Sequence, residues 1–434
     1  FDKITIINRS AGQAYGRGLF PNDEKPVKRY KEIFLAAVRL CWEIGFMEQV
    51  AIPLSVPNFC GKERTYVDEA IDTEWVSTGG AFIGQFETEM AKKLGTAQAC
   101  ACQSGTAGLH LCLRHFGIGA GDIVLVPTLT FIATVNAVMY QSAEPVFFDC
   151  DDHMCLNLDQ VEAYLAHECR VEGGRTVEKS SGRTVKAVIP VHVFGDHCDM
   201  VHLMRLAEEY HLFVIEDATE SLGGTFSRSP YAGRHTGTVG HAGVFSFNGN
   251  KIITTGGGGM IVSADEAAIA HMRYLSQQAK DDAVYFVHEE YGYNYRMTNL
   301  QAALGLAQLE QLEHFVAIKR RNHRLYAERL AGCGFGKLLP FSCDTANCWF
   351  YSFALNEPDA ETRDKLIHHM SGRNIQVRPV WKLNHTQTPF RRFRAMDCGN
   401  ALNFYDRVVN IPCSTNLTQE QIDRVCQALL AFKT

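Results

Sequence analysis

The chain has 434 residues, a formal net charge of −6 at pH 7, 46% hydrophobic residues and 21% charged residues. That length exceeds one ordinary core and allows two domains, and the acidic balance speaks against nucleic acid, whose phosphates call for a basic face. No apolar run is long enough to span a bilayer and no ordered signal-peptide regions appear, so neither a membrane partner nor secretion is expected.

In chain order, Pro21 to Pro26 reads as a loop and Val27 to Trp42, with apolar residues at helical spacing, as an amphipathic helix. Glu63 to Ile71 reads as a second helix before the turn-rich Ser77-Thr78-Gly79-Gly80. From Phe82 onward the pattern is regular. Helices are expected at Phe86–Leu94, Ala107–Phe116, Phe131–Gln141 and Val201–Tyr210. Strands are expected at Ala97–Cys102, Ile123–Val126, Pro145–Phe148, Lys186–Val191, Leu212–Glu216, Gly243–Phe247 and Met260–Val262. Strands alternating with helices imply an α/β fold with a mainly parallel sheet covered on both faces. The polar, Gly-rich stretch 170–185 reads as a surface loop or hairpin, and 300–331 as one long helix. Beyond about residue 335 the pattern turns to mixed α+β, consistent with a smaller second domain.

The 15 cysteines are irregularly spaced and form no CxxC. They read as reduced thiols of a cytoplasmic protein rather than a disulfide framework. No HExxH or paired Cys/His set points to a metal. Asp149, Asp151 and Asp152 could be an acidic metal cluster, but acids after a strand are ordinarily turn residues.

The strongest chemical signal is FSFNGNKIITTGGGG from Phe245 to Gly259. It places one lysine, Lys251, between apolar residues and glycines that permit close backbone approach. A desolvated lysine has a lowered pKa, and its neutral amine is the nucleophile that forms Schiff bases. A dinucleotide-binding loop is the rival reading, but such a loop opens a helix, and here the glycines lead into the strand at Met260. The second signal is Asp217, where an apolar strand ends in Glu216-Asp217-Ala218-Thr219-Glu220. A carboxylate there can pair with a cationic ring nitrogen, or it is simply a helix cap. The third is Ser104-Gly105-Thr106-Ala107, where free N–H groups at a helix start suit a phosphate, or again only cap a helix.

Together these motifs resemble the DegT/DnrJ/StrS-type sugar-nucleotide aminotransferases, from about Ile52 to about Phe390. The resemblance is carried by SGTAGL at Ser104, PTLTF at Pro127, PVHVFG at Pro190, EDATESLG at Glu216, the lysine segment and GYNYRMTNLQAA at Gly292. It implies pyridoxal 5'-phosphate (PLP) as cofactor and the aspartate-aminotransferase fold, fold type I. The large PLP domain would span 76–315, and the small domain would combine 1–75 with 316–434. The resemblance further implies that Lys251 carries the cofactor as a Schiff base and that Asp217 holds the pyridinium nitrogen. Phe131 would stack on the ring. Ser246 with Gly105, Thr106 and Ala107 would bind the phosphate. Asn294 would reach the phosphate of the neighbouring subunit, so a homodimer with shared sites is expected.

His192, Arg378, Trp381 and His385 are candidate substrate residues, although a core histidine and ordinary interface contacts are open alternatives. Two positions depart from the family pattern. Glu220 stands where many relatives have Gln bonded to the cofactor phenolate, and Gly257 where many have Glu. Within the family, the motifs at Ile52–Thr78, Pro127 and Arg378–His385 most resemble aminotransferases of legionaminic-acid-type pathways. The expected reaction moves an amino group from glutamate to a UDP-linked 4-keto-6-deoxy-N-acetylhexosamine. GDP-4-keto-6-deoxymannose, as in perosamine synthases, is the competing substrate. A PLP-dependent sugar dehydratase is disfavoured because such relatives carry histidine at the position of Lys251, and a silent ligand-binding homologue is disfavoured by intact Lys251 and Asp217.

Overall fold

Nine strands form the larger sheet among the described residues, which in this computed structural model are 50–282 and 284–433. The loop and helix expected within Pro21–Trp42 lie outside them. In chain order the strands are β1 (Gln98–Cys102), β2 (Asp122–Pro127), β3 (Glu144–Phe148), β4 (Cys169–Glu172), β5 (Arg175–Glu178), β6 (Thr184–Val188), β7 (Phe213–Asp217), β8 (Ala242–Ser246) and β9 (Gly259–Ser263). The sheet order is β1-β9-β8-β7-β6-β2-β3. The run β8-β7-β6-β2-β3 is parallel, and β9 lies antiparallel between β8 and β1. Residues 170–185, read as a loop or hairpin, include the antiparallel pair β4/β5, and β5 continues onto β6.

The strands are short and apolar because both faces are covered. In β2, Ile123 and Leu125 pack on one side, with the helices Leu158–Glu168 and Met200–Glu209. Val124 and Val126 pack on the other, with Gly105–His115 and Glu266–Ser276. The two-residue strand period thus feeds two separate cores. Side-chain caps set several helix starts. The Ser104 hydroxyl accepts from Ala107 N–H at 3.1 Å, and Thr298 and Gln301 form a reciprocal capping box.

The single helix expected over 300–331 is two, Asn299–Leu309 and Leu312–Leu330, broken at Glu310-Gln311. Each half buries a different face. The first packs on Glu63–Asp72 and Ala81–Leu94, the second on the strand Gly336–Leu338 and the C-terminal helix Gln419–Leu430. No single straight helix serves both surfaces, and a continuous helical period in the sequence does not reveal that turn.

The second sheet comprises β10 (Gly336–Leu338), β11 (Tyr351–Leu355), β12 (Arg378–Pro379) and β13 (Val408–Ile411), in the order β10-β11-β13-β12, all antiparallel. The early segment at Ile52–Val56 runs beside it. Ile52 bridges Ile375, Leu54 N–H donates to Gln376, and Val56 N–H donates to Ser414. None of the described cysteines forms a disulfide, and most are buried. Asp149 and Asp151 accept backbone N–H groups, Asp149 from Cys150, Asn400 and Ala401, Asp151 from His153 and Cys155. They organise turns.

Candidate active site

The parallel strands end at one edge, and there the chain leaves a cavity of about 340 Å³. Asp217 is the last residue of β7 and Ser246 the last of β8, while Ser104 follows β1 and Phe131 follows β2. Open α/β sheets take ligands at such carboxyl ends. All four residues line the cavity, with Gly105, Thr106, Thr134, Glu220, Lys251, Gly257 and Trp349.

Asp217 is buried. Its Oδ2 accepts from the Thr134 hydroxyl at 2.7 Å and its Oδ1 from Thr219 N–H at 3.2 Å. Both donors fix the plane of the carboxyl group and leave it acceptor capacity toward the cavity. The helix Gly105–His115 starts with its axis at the same wall. Ala107 N–H is taken by Ser104, whereas no acceptor among the described residues engages the N–H groups of Gly105 and Thr106. Unpartnered donors at the positive end of a helix make an anion site. Position 105 is tight, since a Cβ there would lie 3.0 Å from Thr219 Cγ2 and 3.1 Å from Ser246 Cβ and would press on both. Phe131 is 54% exposed and presents a ring at the mouth.

Lys251 Nζ lies 3.4 Å from Glu220 Oε1 and 4.0 Å from the centre of the Trp349 ring. The lysine side chain is 12% exposed and that of Glu220 2%. Glu220 Oε2 accepts from Phe194 N–H at 2.8 Å. Burial pushes the Glu220 carboxyl up to about 7, and Asp217 adds to the rise, while Lys251 and the Phe194 N–H oppose it. Phe194 has φ 54°, a left-handed conformation rare outside glycine, and the neighbouring Gly195 has φ 94°. This bend aims the Phe194 N–H at Glu220 and its ring at Trp381, with centroids 4.6 Å apart. Trp349, Phe350, Phe194 and Trp381 form a run of stacked rings, and three of them, Trp349, Phe350 and Trp381, line the cavity.

The cavity therefore gathers Lys251, Asp217, Glu220, Gly105, Thr106, Phe131, Ser246 and Trp381 from the expected set. Ala107 sits one step inside the helix with its N–H already used. His192 does not reach the cavity. It is fully buried, its Nε2 is 2.9 Å from Glu216 Oε2, and its Nδ1 accepts from Cys198 N–H. No ring nitrogen is left for a substrate, and the structure places it in the core. His385 is engaged through Nδ1 with the Thr128 hydroxyl at 2.6 Å, and Arg378 is exposed on β12 with its guanidinium on the Val377 carbonyl. Neither lines the cavity, nor does Asn294, which is exposed in the single chain. Two residues outside the expected set matter: Thr134, which holds Asp217, and Trp349, which covers Lys251. Thr134 lies in the quoted PTLTF segment's continuation, one turn after Phe131, and could have been found there. Trp349 carries no sequence signal that separates it from core aromatics.

An amine, a buried carboxylate and an anion site on one cavity at the ends of parallel strands define the class: a PLP enzyme of fold type I. The chain belongs to the DegT/DnrJ/EryC1/StrS aminotransferase family, whose profile matches residues 59–430. It is 39% identical to the GDP-perosamine synthase of Caulobacter vibrioides over 87% of this chain and 97% of that one. It is 34% identical to the GDP-perosamine synthase of Escherichia coli O157:H7 over 88% of this chain and 98% of that one. A crystal structure of a DegT DnrJ EryC1 StrS aminotransferase from Brucella abortus superposes with a TM-score of 0.76 at 27% identity, covering 85% of this chain and 94% of that one. The protein is a PLP-dependent sugar aminotransferase. No helix among the described residues is long and apolar enough to cross a membrane.

Proposed function

We propose that this enzyme transfers the amino group of glutamate to the keto carbon of a nucleotide-linked 4-keto-6-deoxy sugar, with Lys251 as the cofactor lysine. The observation that carries this is Lys251 Nζ in one cavity with Asp217 and the unpartnered N–H groups of Gly105 and Thr106. The residues fit the cofactor. Gly105, Thr106 and Ser246 would hold its phosphate, Phe131 would cover its ring, and Asp217 would keep the proton on its ring nitrogen. When bound, the cofactor supplies an electron sink for amino transfer. Lys251, once its amine is free, would move the proton at the reacting substrate carbon. The exposed Asn294 would act on the site of a second subunit in a homodimer. Mixed Lys251→Ala and Asn294→Ala subunits, each inactive alone, should then regain activity after exchange.

Two readings of the sugar each have support. The motifs at Ile52–Thr78 and Arg378–His385 favour the UDP-linked N-acetylhexosamine, whereas the two perosamine synthases named above favour the GDP-linked 6-deoxymannose. Comparing kcat/KM for both keto sugars with glutamate decides between them. A preference of about tenfold corresponds to about 1.4 kcal/mol in the transition state. Turnover of neither sugar, with the visible cofactor band unmoved by glutamate, would overturn the reading. Asp217→Asn should bind the cofactor yet slow turnover by about 100-fold or more, because an amide cannot hold the ring proton.

A further inference from the structure

We propose that Glu220 and Lys251 share one proton, and that Glu220 is the positioning residue that takes it when the lysine amine is called on as a nucleophile and returns it when the amine is released. The inference rests on reading Lys251 as the cofactor lysine. The geometry is that of a closed pair. Glu220 Oε2 is committed to Phe194 N–H, and Oε1 is turned to Nζ at 3.4 Å. Asn347 pins the same residue from behind, its Nδ2 donating to the carbonyls of Glu220 and Leu222, each at 2.9 Å. A Cβ on Gly195 would lie 1.8 Å from Asn347 Oδ1, so the bend at Phe194 and the pin at Asn347 depend on each other.

Two groups that attract a cation face the lysine amine: the Glu220 carboxyl at 3.4 Å and the Trp349 ring at 4.0 Å. An ammonium is no nucleophile, so its proton must leave before the amine attacks an aldehyde carbon. Transfer within the pair converts ammonium and carboxylate into amine and carboxylic acid with no net change in charge. The amine then forms its carbon–nitrogen bond, and the carbonyl oxygen departs as water. On release of the amine the same proton returns to Nζ. The charged groups acting on Glu220 are Lys251 and Asp217, and the remaining neighbours bring neutral groups: the Phe194 N–H, Asn347 and the Trp349 ring. Burial lifts the carboxyl to about 7, so both protonation states are accessible near neutrality. A glutamine can fill this space and donate a hydrogen bond, but it cannot take up a proton.

The test mixes cofactor-free full-length protein with pyridoxal phosphate in a stopped-flow spectrometer and follows growth of the visible band from pH 6 to 9. The wild type should load at a rate that changes little above pH 7. Glu220→Gln should load at a rate that rises about tenfold per pH unit, because the lysine proton must go to solvent. Glu220→Asp, with a carboxyl at longer reach, should recover part of the flat profile. A Glu220→Gln profile that matches the wild type, with the band intact, overturns the proposal. If Glu220→Gln does not fold, Glu220→Ala takes its place, and a Glu220→Ala profile that matches the wild type overturns the proposal equally. Should wild-type protein form no band, or Lys251→Ala form one, the cofactor-lysine reading falls and this proposal with it.

Discussion

Glu216 and Glu220 are both buried acids at the end of β7, yet their surroundings put them to opposite uses. Glu216 accepts from the backbone N–H groups of Gly237, Val239 and Gly240 and from His192. Burial pushes its carboxyl up, but the His192 bond and those N–H donors outweigh it, and it sits below the ordinary carboxylate value. Glu220 has the Phe194 N–H and the lysine, and burial wins. The number of fixed donors, not depth, decides whether a buried acid is a structural anion or a proton carrier. A saturated carboxylate rigidifies the loop at 237–240, while an undersatisfied one stays available for chemistry.

The largest expected effect comes from removing the cation that Glu220 answers to. Lys251→Ala should abolish the cofactor band and reduce turnover by at least about 10²–10⁴-fold, with an unchanged circular dichroism spectrum. Turnover near the wild-type rate would remove Lys251 from the chemistry and erase the contrast between the two acids. Next, Glu216→Gln should cost about 3–5 kcal/mol, because His192 and three N–H groups lose a charged acceptor. The pH dependence has a definite sign. A carboxyl held below its ordinary 4.5 in the folded state contributes stability that is present above that value and lost as pH falls through the folded one. Melting curves of wild type and Glu216→Gln should therefore diverge above about pH 4.5 and converge in acid. Parallel curves throughout would show that Glu216 is not a buried anion. The smallest effect is expected at the ring over the lysine. Trp349→Leu should weaken the hold on the Lys251 side chain by about 0.5–2 kcal/mol, visible as a change in the rate at which the cofactor-free protein forms the visible band at a fixed pH.

Much of the architecture was legible because alternating short apolar runs and helical periods leave few options for the sheet. The break at Glu310-Gln311 was not, since it is imposed by two packing surfaces rather than by a helix-breaking residue. The site was legible where chemistry and local structure coincide. Lys251, Asp217 and the Ser104–Ala107 segment each stand at a strand end or helix start that a sequence can show. It was illegible where the decisive fact is distance between remote segments. His192 reads like a cavity residue until Glu216 and Cys198 are seen to consume both its nitrogens. Trp349 reads like core until its ring is found over Lys251. The glutamate at 220 was visible as a departure from the family pattern, but its pairing was not.

The cavity walls come from stretches as distant as Ser104, Asp217, Lys251, Trp349 and Trp381, so none of the binding surface survives in an unfolded chain. A ligand held there joins the folded form alone, and mass action makes it a thermal stabiliser: about 2.7 kcal/mol at a free concentration of 100 Kd. The melting temperature thus becomes a ligand gauge that works even with catalytically dead variants. Nucleotide sugars can be ranked by how far each raises it, before any product is ever identified.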